Sequence, residues 1–282
     1  MPRRAKVIYP SDLSDPQWAL LAPILHQALG RCGRVPRREL LNAIFYVLRT
    51  GCRVPSGRAL SASKLPQMDN SSLGFSTLEQ QRNMGQGGRG VADRGALLPG
   101  PHSASQRGDP RHPEREDDGK GGPRGYDSAK KISGRKRVEV CDKGGHFIDA
   151  LVMRASTDER TCAWGLLIQL KKSGLAQGLK TIFADAGFGG ADFERDVQVE
   201  FGHTLEIVRR TPDQKGFAPL PSRWLIEQVF GCQGRYRRLS RDYEQNPRLS
   251  RATIQGANIH RWLQRLRPKP INDPPFRYRI TL

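Results

Sequence analysis

Two acidic residues, Asp185 and Glu227, stand where carboxylates could do chemistry. Asp185 follows the short apolar strand predicted over LKTIFA and precedes a glycine-rich turn, at the carboxyl edge where open α/β sheets place their sites. Glu227 lies on a predicted helix, with Arg223 one turn before it and a cluster of arginines after it. Each residue could instead have a purely structural role. Asp185 could cap a turn or a helix, and Glu227 could be one partner of a surface ion pair. Two carboxylates on different elements, flanked by cations, could instead hold magnesium for phosphoryl transfer.

The composition indicates a polyanionic partner. Of 282 residues, 47 are Lys or Arg and 28 are Asp or Glu, which gives a formal net charge of +19. This excess predicts binding to nucleic acid, with an anionic membrane surface as the alternative. No apolar run approaches the roughly 20 residues that a membrane span needs, and no apolar region follows the first basic residues as in a secretory signal. We therefore expect a protein that binds nucleic acid.

The ligands available for a metal are carboxylates. The five cysteines are scattered without a CxxC pair, and the six histidines are equally dispersed. This usage fits a reducing cytosol and gives no indication of disulfides or a zinc site. A metal would therefore be held by oxygen ligands, which favours a hard ion such as magnesium.

Three regions differ in pattern. Residues 1–52 predict two amphipathic helices joined by a basic turn, the second ending at Gly51; they could form a helix-turn-helix type DNA reader or a plain helical hairpin. Residues 53–120 are rich in Ser, Gly, Arg, Pro and Gln and predict a disordered segment. Residues 121–282 alternate strands with helices, which predicts an α/β sheet.

Basic residues cluster before the first strand of that sheet and around the helix of Glu227. The candidates for contact with a DNA backbone are Lys130, Lys131, Arg135, Lys136, Arg137, Arg223, Arg235, Arg237 and Arg238, with Arg241 beyond them. An ordinary solvated surface is the alternative for several of them.

Together these stretches resemble the DDE transposases of bacterial insertion sequences. The resemblance rests on YPSDLSDPQW, LLNAIFYVLRTGCR, GGPRGYDSAKKISGRKR, FADAGF and SRWLIEQVFGCQGRYRRLSRDYE, and covers about 7–52 and 121–266. It implies a ribonuclease-H-like catalytic domain, a mixed sheet with flanking helices, in which three carboxylates bind two magnesium ions. These activate water or a DNA 3′-hydroxyl for in-line attack on a phosphodiester. It also implies double-stranded DNA as the partner, in the form of transposon ends and target DNA, with a homo-oligomer assembled on that DNA. The expected location is then cytoplasmic and nucleoid-associated.

The resemblance assigns two of the three metal-binding, catalytic carboxylates. Asp185 matches the second Asp of the family and Glu227 the Glu, with Arg223 as the Arg four residues before it. Leu220 stands where the family often has a Tyr. The first Asp, on the central first strand of the fold, has no counterpart, because DPRHPEREDDGKGG precedes the GGPRGYD stretch.

The codons suggest why this Asp is absent. Met has a single codon, and Met68 and Met84 precede residues whose codons begin with G, so reading one nucleotide later forces Trp at both. The family has Trp at this spacing. In the same frame, suitable codons place an Asp across Arg111 and His112. We interpret roughly 54–119 as a frameshifted segment, with a divergent linker as the alternative.

This interpretation predicts a damaged, pseudogene-like copy. The central strand would be missing from the sheet of 121–282, leaving an incomplete catalytic domain beside the helical region 1–52. Asp117, Asp118, Asp127 and Asp142 could substitute for the first Asp, although no spacing favours any of them. We expect little or no strand transfer. The alternative function is a non-catalytic basic DNA-binding protein derived from a transposase.

Overall fold

A computed structural model describes most of the two regions predicted to fold. The described residues are 7–28, 35–52, 94–98, 102–103, 122–128, 131–208, 223–269 and 277–278.

The chain forms a mixed α/β structure. Its strands are β1 (Val7–Ile8), β2 (Arg94–Leu98), β3 (His102–Ser103), β4 (Gly125–Asp127), β5 (Ile132–Asp142), β6 (Phe147–Arg154), β7 (Leu179–Ala184), β8 (Thr204–Ile207) and β9 (Arg277–Tyr278). Its α-helices are α1 (Asp15–Ala28), α2 (Arg37–Thr50), α3 (Glu159–Lys172), α4 (Ala191–Phe201), α5 (Arg223–Gln233) and α6 (Pro247–Leu266). Single 3₁₀ turns follow β7 at Ala186–Phe188 and α5 at Arg237–Leu239.

The large sheet is built around β2. Strand β5 pairs with β2 antiparallel and with β6 antiparallel, while β7 lies parallel to β2 on its other side and β8 continues the sheet. Short strands β3 and β4 also pair with β5. Strand β2 is the first of these strands in chain order and occupies a central position.

The prediction that the sheet lacks a central strand is therefore wrong, because β2 fills that position. The pairs Leu97 with Cys141 and Leu98 with Ala184 join β2 to both neighbours. Strands β2 and β3 also lie within 53–120, where disorder was predicted; the remainder of that segment lies outside the described residues. The physical reason is that sheet pairing is made by the backbone. Unpaired buried backbone groups of β5 and β7 would each cost about 1–3 kcal/mol, so a short apolar run such as ALL is stabilised there.

Helices cover both faces of the sheet. Val140 of β5 and Ile182 of β7 share one hydrophobic cluster with α3 and α4. Cys141 of β5 and Phe147 of β6 belong to a second cluster, which contains residues of α1, α2, α5 and α6. The alternation along β5, with Val140 on one side and Cys141 on the other, is the two-residue period of a strand buried on both faces.

The two N-terminal helices belong to that second core. Phe45 of α2 stacks on His260 of α6, with ring centroids 4.5 Å apart. In the fully described helix α2, only Glu39 and Arg49 are exposed. The predicted boundary at residue 52 does not separate two hydrophobic cores, and DNA reading by these helices stays a prediction. Among the helices of the described ranges, none has the length and apolar character needed to cross a bilayer.

Candidate functional site

Asp185 lies at the carboxyl end of β7, as the sequence predicted. It is half-buried and caps the 3₁₀ turn: its Oδ1 accepts from the backbone N–H of Ala186 at 2.7 Å, and its carbonyl accepts from the N–H of Phe188 at 3.0 Å. The capping role considered from the sequence is thus present. It holds the carboxylate at the edge of the sheet.

The glycines after Asp185 make room for the first turn of α3. A Cβ at Gly187 would lie 1.8 Å from Oε2 of Glu159, and one at Gly190 would lie 2.8 Å from the guanidinium of Arg160. Arg160 also donates to the carbonyl of Gly189. Sequence reasoning missed this contact because the two segments are separated along the chain by β7. The glycine-rich turn is therefore fixed against α3.

Glu227 is exposed on α5, next to the buried Ile226 and two residues before the buried Val229. This agrees with the predicted position at the boundary of an apolar stripe. Helix α5 packs against β2 and β5, so Glu227 is carried on the same side of the sheet as the second hydrophobic cluster. Arg223 is the first residue of α5, and its side chain lies outside the described residues.

The described residues do not form a three-carboxylate metal site. Because Leu98 pairs with Ala184, the end of β2 is level with Asp185, but its sequence RGALL has no acid to offer. No group of three His, Cys, Asp or Glu within the described ranges is arranged to hold a metal ion. The residues present therefore do not fit a complete magnesium site.

The carboxylates considered as substitutes have other contacts. Asp142 accepts from the backbone N–H groups of Gly144 and His146 at 2.8 and 2.9 Å and pairs with the His146 ring. Asp127 lies 3.6 Å from Nζ of Lys136. Asp117 and Asp118 lie outside the described residues. None of the described candidates completes the site.

Arg135, predicted to contact DNA, is buried instead. It is only 4% exposed and connects the β4–β5 hairpin to the loop before α6. Its guanidinium donates to the carbonyls of Pro123, Glu244 and Gln245 and to the side chains of Asp242 and Ser250, at 2.6 to 3.1 Å. A rigid fork with five donors suits such a set of acceptors. Its contact with DNA is therefore replaced by an internal role.

Lys136 and Arg137, which were also predicted to contact DNA, make internal contacts as well. Nζ of Lys136 donates to the carbonyl of Thr157 at 2.8 Å, and Arg137 donates to the carbonyl of Leu239 at 3.2 Å. Both side chains are buried. Burial lowers the pKa of Arg137, with Glu139 and Asp242 opposing that shift. The basic run is therefore an interior strand, neither a DNA contact nor a solvated surface.

The remaining basic candidates are on the outside or beyond the described residues. Lys131, Arg235 and Arg237 are exposed, and Lys131 has a positive φ of 54°. Arg238 forms an ion pair with Glu244 at 2.8 Å. Lys130 lies outside the described residues.

Two fully buried acids were missed by sequence reasoning. Asp149 of β6 accepts from Arg251 at 2.6 Å, from Gln169 at 2.7 Å and from Gln255 at 3.1 Å, which ties β6 to α3 and α6. Glu139 of β5 accepts from Gln233 of α5 at 2.6 Å. Their only sequence signal is an acid inside a strand pattern.

A buried aromatic cluster joins α6 to the turn after α5. The Tyr236 hydroxyl lies 3.0 Å from Nδ1 of His260. Burial lowers the pKa of His260 to about 3, with the charges of Arg49 and Lys269 acting in the same direction. Burial raises the pKa of Tyr236 to about 12. Both groups are therefore neutral at physiological pH.

Two models of known families match separate parts of the chain. A family model described as the transposase DDE domain matches residues 99–257, more than half of the chain. A second, described as a putative transposase of the IS4/5 family, matches residues 13–55. No curated protein and no solved structure matches the chain.

Proposed function

Since the chain belongs to the DDE transposases of insertion sequences, we propose that its sheet is a ribonuclease-H-like catalytic domain and that Asp185 and Glu227 are two of its three catalytic carboxylates. The central position of β2, the first strand of the sheet in chain order, supports the fold assignment. The location of Asp185 at a strand end, on a sheet covered by the helix of Glu227, supports the residue assignment.

This copy is proposed to be inactive in DNA cleavage and strand transfer. The observation that carries the proposal is that β2 fills the central position, level with Asp185, without a carboxylate. In the family, magnesium ions at this site activate the attacking oxygen. Here Asp185 and Glu227 remain as the residues that would hold magnesium, and the third carboxylate, with which the family holds two ions, is absent from the β2 sequence RGALL.

The frameshift of roughly 54–119 is proposed as the cause. Under this proposal β2 is an out-of-frame sequence that pairs in the place of the original strand. The nucleotide sequence across codons 50–125 tests it. The two Trp residues are forced by the code and test nothing, so the Asp strand is the decisive part: if the shifted frame encodes no Asp strand near Arg111, the frameshift proposal fails.

The activity is tested with two forms of the protein. The chain as it stands and a frame-restored chain are incubated with magnesium and DNA that carries the terminal repeats of the element. We expect cleavage by the restored chain alone. Asp185→Asn and Glu227→Gln, introduced into the restored chain, should each abolish it. Cleavage by the unrestored chain would refute inactivity, while full activity of Asp185→Asn would refute the site assignment.

A non-catalytic DNA-binding protein is the second candidate. It is favoured by the net charge of +19 and by the exposed Lys131, Arg235, Arg237 and Arg241. Its proposed partners are transposon ends and target DNA in the nucleoid, with residues 1–52 assisting and a homo-oligomer forming on the DNA. Binding that prefers the terminal repeats and weakens with salt, in the absence of cleavage, would support this role. Equal affinity for unrelated DNA would contradict it.

A further inference from the structure

Glu139 and Gln233 form a buried pair between the sheet and helix α5. Glu139 is fully buried on β5, and Gln233 is 4% exposed on α5. Nε2 of Gln233 donates to Oε2 of Glu139 at 2.6 Å. The second carboxylate oxygen of Glu139, Oε1, and the amide oxygen of Gln233, also Oε1, are both buried and have no hydrogen-bond partner among the described residues. One contact is thus made and two acceptors are left over on adjacent groups.

Protonation of Glu139 would give both unpaired oxygens a hydrogen bond. An ionised carboxylate only accepts hydrogen bonds, so an ionised Glu139 could not satisfy Oε1 of Gln233. A neutral carboxyl carries one O–H donor. If Oε1 of Glu139 holds the proton, it donates to Oε1 of Gln233 while Oε2 accepts from Nε2, and both planar groups are satisfied by each other. Unsatisfied buried polar groups are rare because each costs about 1–3 kcal/mol.

We propose that Glu139 is held as the neutral acid in a reciprocal carboxylic acid–carboxamide pair with Gln233, and that this pair fixes helix α5 to the sheet until Glu139 ionises. Gln233 lies on the same helix as Glu227. Glu139 is therefore a positioning residue, which acts on Glu227 through the seating of α5. That consequence rests on the proposed function, whereas the pair itself does not.

The charged groups around Glu139 do not reverse its preference for the neutral form. The groups that act on it or on its neighbours are Arg137 and Cys141 on β5, Asp149 on β6, Asp242 beside Arg137, and Arg261 on α6. Burial raises the pKa of Glu139 to about 7, opposed by the Gln233 hydrogen bond and Arg137 and assisted by Asp149. The positive charge of Arg137 is shared with Asp242, and Asp149 is paired with Arg251.

The test uses Glu139→Gln in the full chain. Its amide can donate to Oε1 of Gln233 and accept from Nε2, so it copies the neutral acid but cannot ionise. Urea unfolding is measured between pH 4.5 and about pH 8. Because the folded-state pKa of about 7 lies above the ordinary value of 4.5, the stabilisation is complete below pH 4.5 and is lost as pH rises through 7. Over this range the group should raise the unfolding equilibrium constant of the wild type roughly 150-fold relative to Glu139→Gln.

Matched measurements keep the proposal falsifiable. Glu206→Gln, on an exposed strand position, should keep the wild-type pH profile. Infrared spectra of the folded wild type at pH 6 should show a protonated carboxyl C=O band that Glu139→Gln lacks. This band should shift in Gln233→Met, which removes the amide partner. Parallel pH profiles for wild type and Glu139→Gln, or absence of the band, would overturn the proposal. If Glu139→Gln does not fold, the carboxyl band of the wild type and its shift in Gln233→Met test the proposal. None of these outcomes depends on DNA cleavage.

Discussion

Replacing Arg135 distinguishes an internal role from a DNA contact. Arg135→Met removes a guanidinium that is 4% exposed and keeps most of the apolar volume of its stem. The loss leaves five acceptors without their donor, one of them the carboxylate of Asp242, whose side chain is 10% exposed and lies 3.1 Å away. Removing one partner of a buried ion pair destabilises by about 3–5 kcal/mol.

That loss is large beside the total stability of about 5–15 kcal/mol expected of a domain. With a urea m-value of about 1–3 kcal/mol per M, the unfolding midpoint should fall by about 1 M or more. Arg135→Lys keeps the positive charge but supplies a single ammonium for acceptors on two segments. It should therefore also be destabilised, because one ammonium cannot reach the set of acceptors that the fork reaches.

Arg235 provides the matched control, since its side chain is exposed. Arg235→Met should leave stability within about 0.5 kcal/mol of the wild type. Any change in its DNA affinity is then a surface effect. Two results together would refute the internal role of Arg135. Arg135→Lys would be as stable as the wild type, and Arg135→Met would lose DNA binding at an unchanged urea midpoint. That pattern would restore Arg135 to the DNA interface.

Three further predictions concern the stability of the fold. Gly122→Ala should lower the melting temperature, because a Cβ would lie 1.9 Å from the carbonyl oxygen of Gln245 and φ is +64°; a melt equal to that of the wild type would contradict the close approach. Asp149→Asn should lose about 3 kcal/mol in urea unfolding, since it removes the charge that Arg251 faces at 2.6 Å. Because the folded-state pKa of His260 is lowered to about 3, its contribution is complete above pH 6.5 and is lost as pH falls towards 3. His260→Gln should therefore be less sensitive to acid in the same assay, and an unchanged acid transition would count against it.

Local sequence signals predicted the elements well. Helix α2 ends before Gly51, which takes the left-handed conformation expected of a helix-terminating glycine, with φ 68°. Asp185 follows β7 directly, and Glu227 lies beside an apolar stripe, because these placements depend on residues a few positions away. The family resemblance is confirmed by the two matching family models.

Long-range contacts could not be predicted from such signals. The run Arg135 to Arg137 looks like a surface because its acceptors lie far along the chain, in the loop at 242–245 and at Leu239. Strand β2 could not be found either, because its place in the sheet depends on backbone pairing with β5 and β7 and not on a motif of its own.

The contacts of Gln17 determine when the protein can complete its fold during synthesis. Its side chain on α1 is fully buried and donates to the carbonyls of Leu263 and Arg267, at 3.5 and 2.9 Å. A ribosome must therefore release the chain as far as Arg267 before helix α1 reaches these acceptors. Until then the apolar face of α1 is not fully buried and is accessible to chaperones and proteases. A ribosome that stalls before residue 263 leaves a nascent chain in which Gln17 of α1 lacks both of these acceptors.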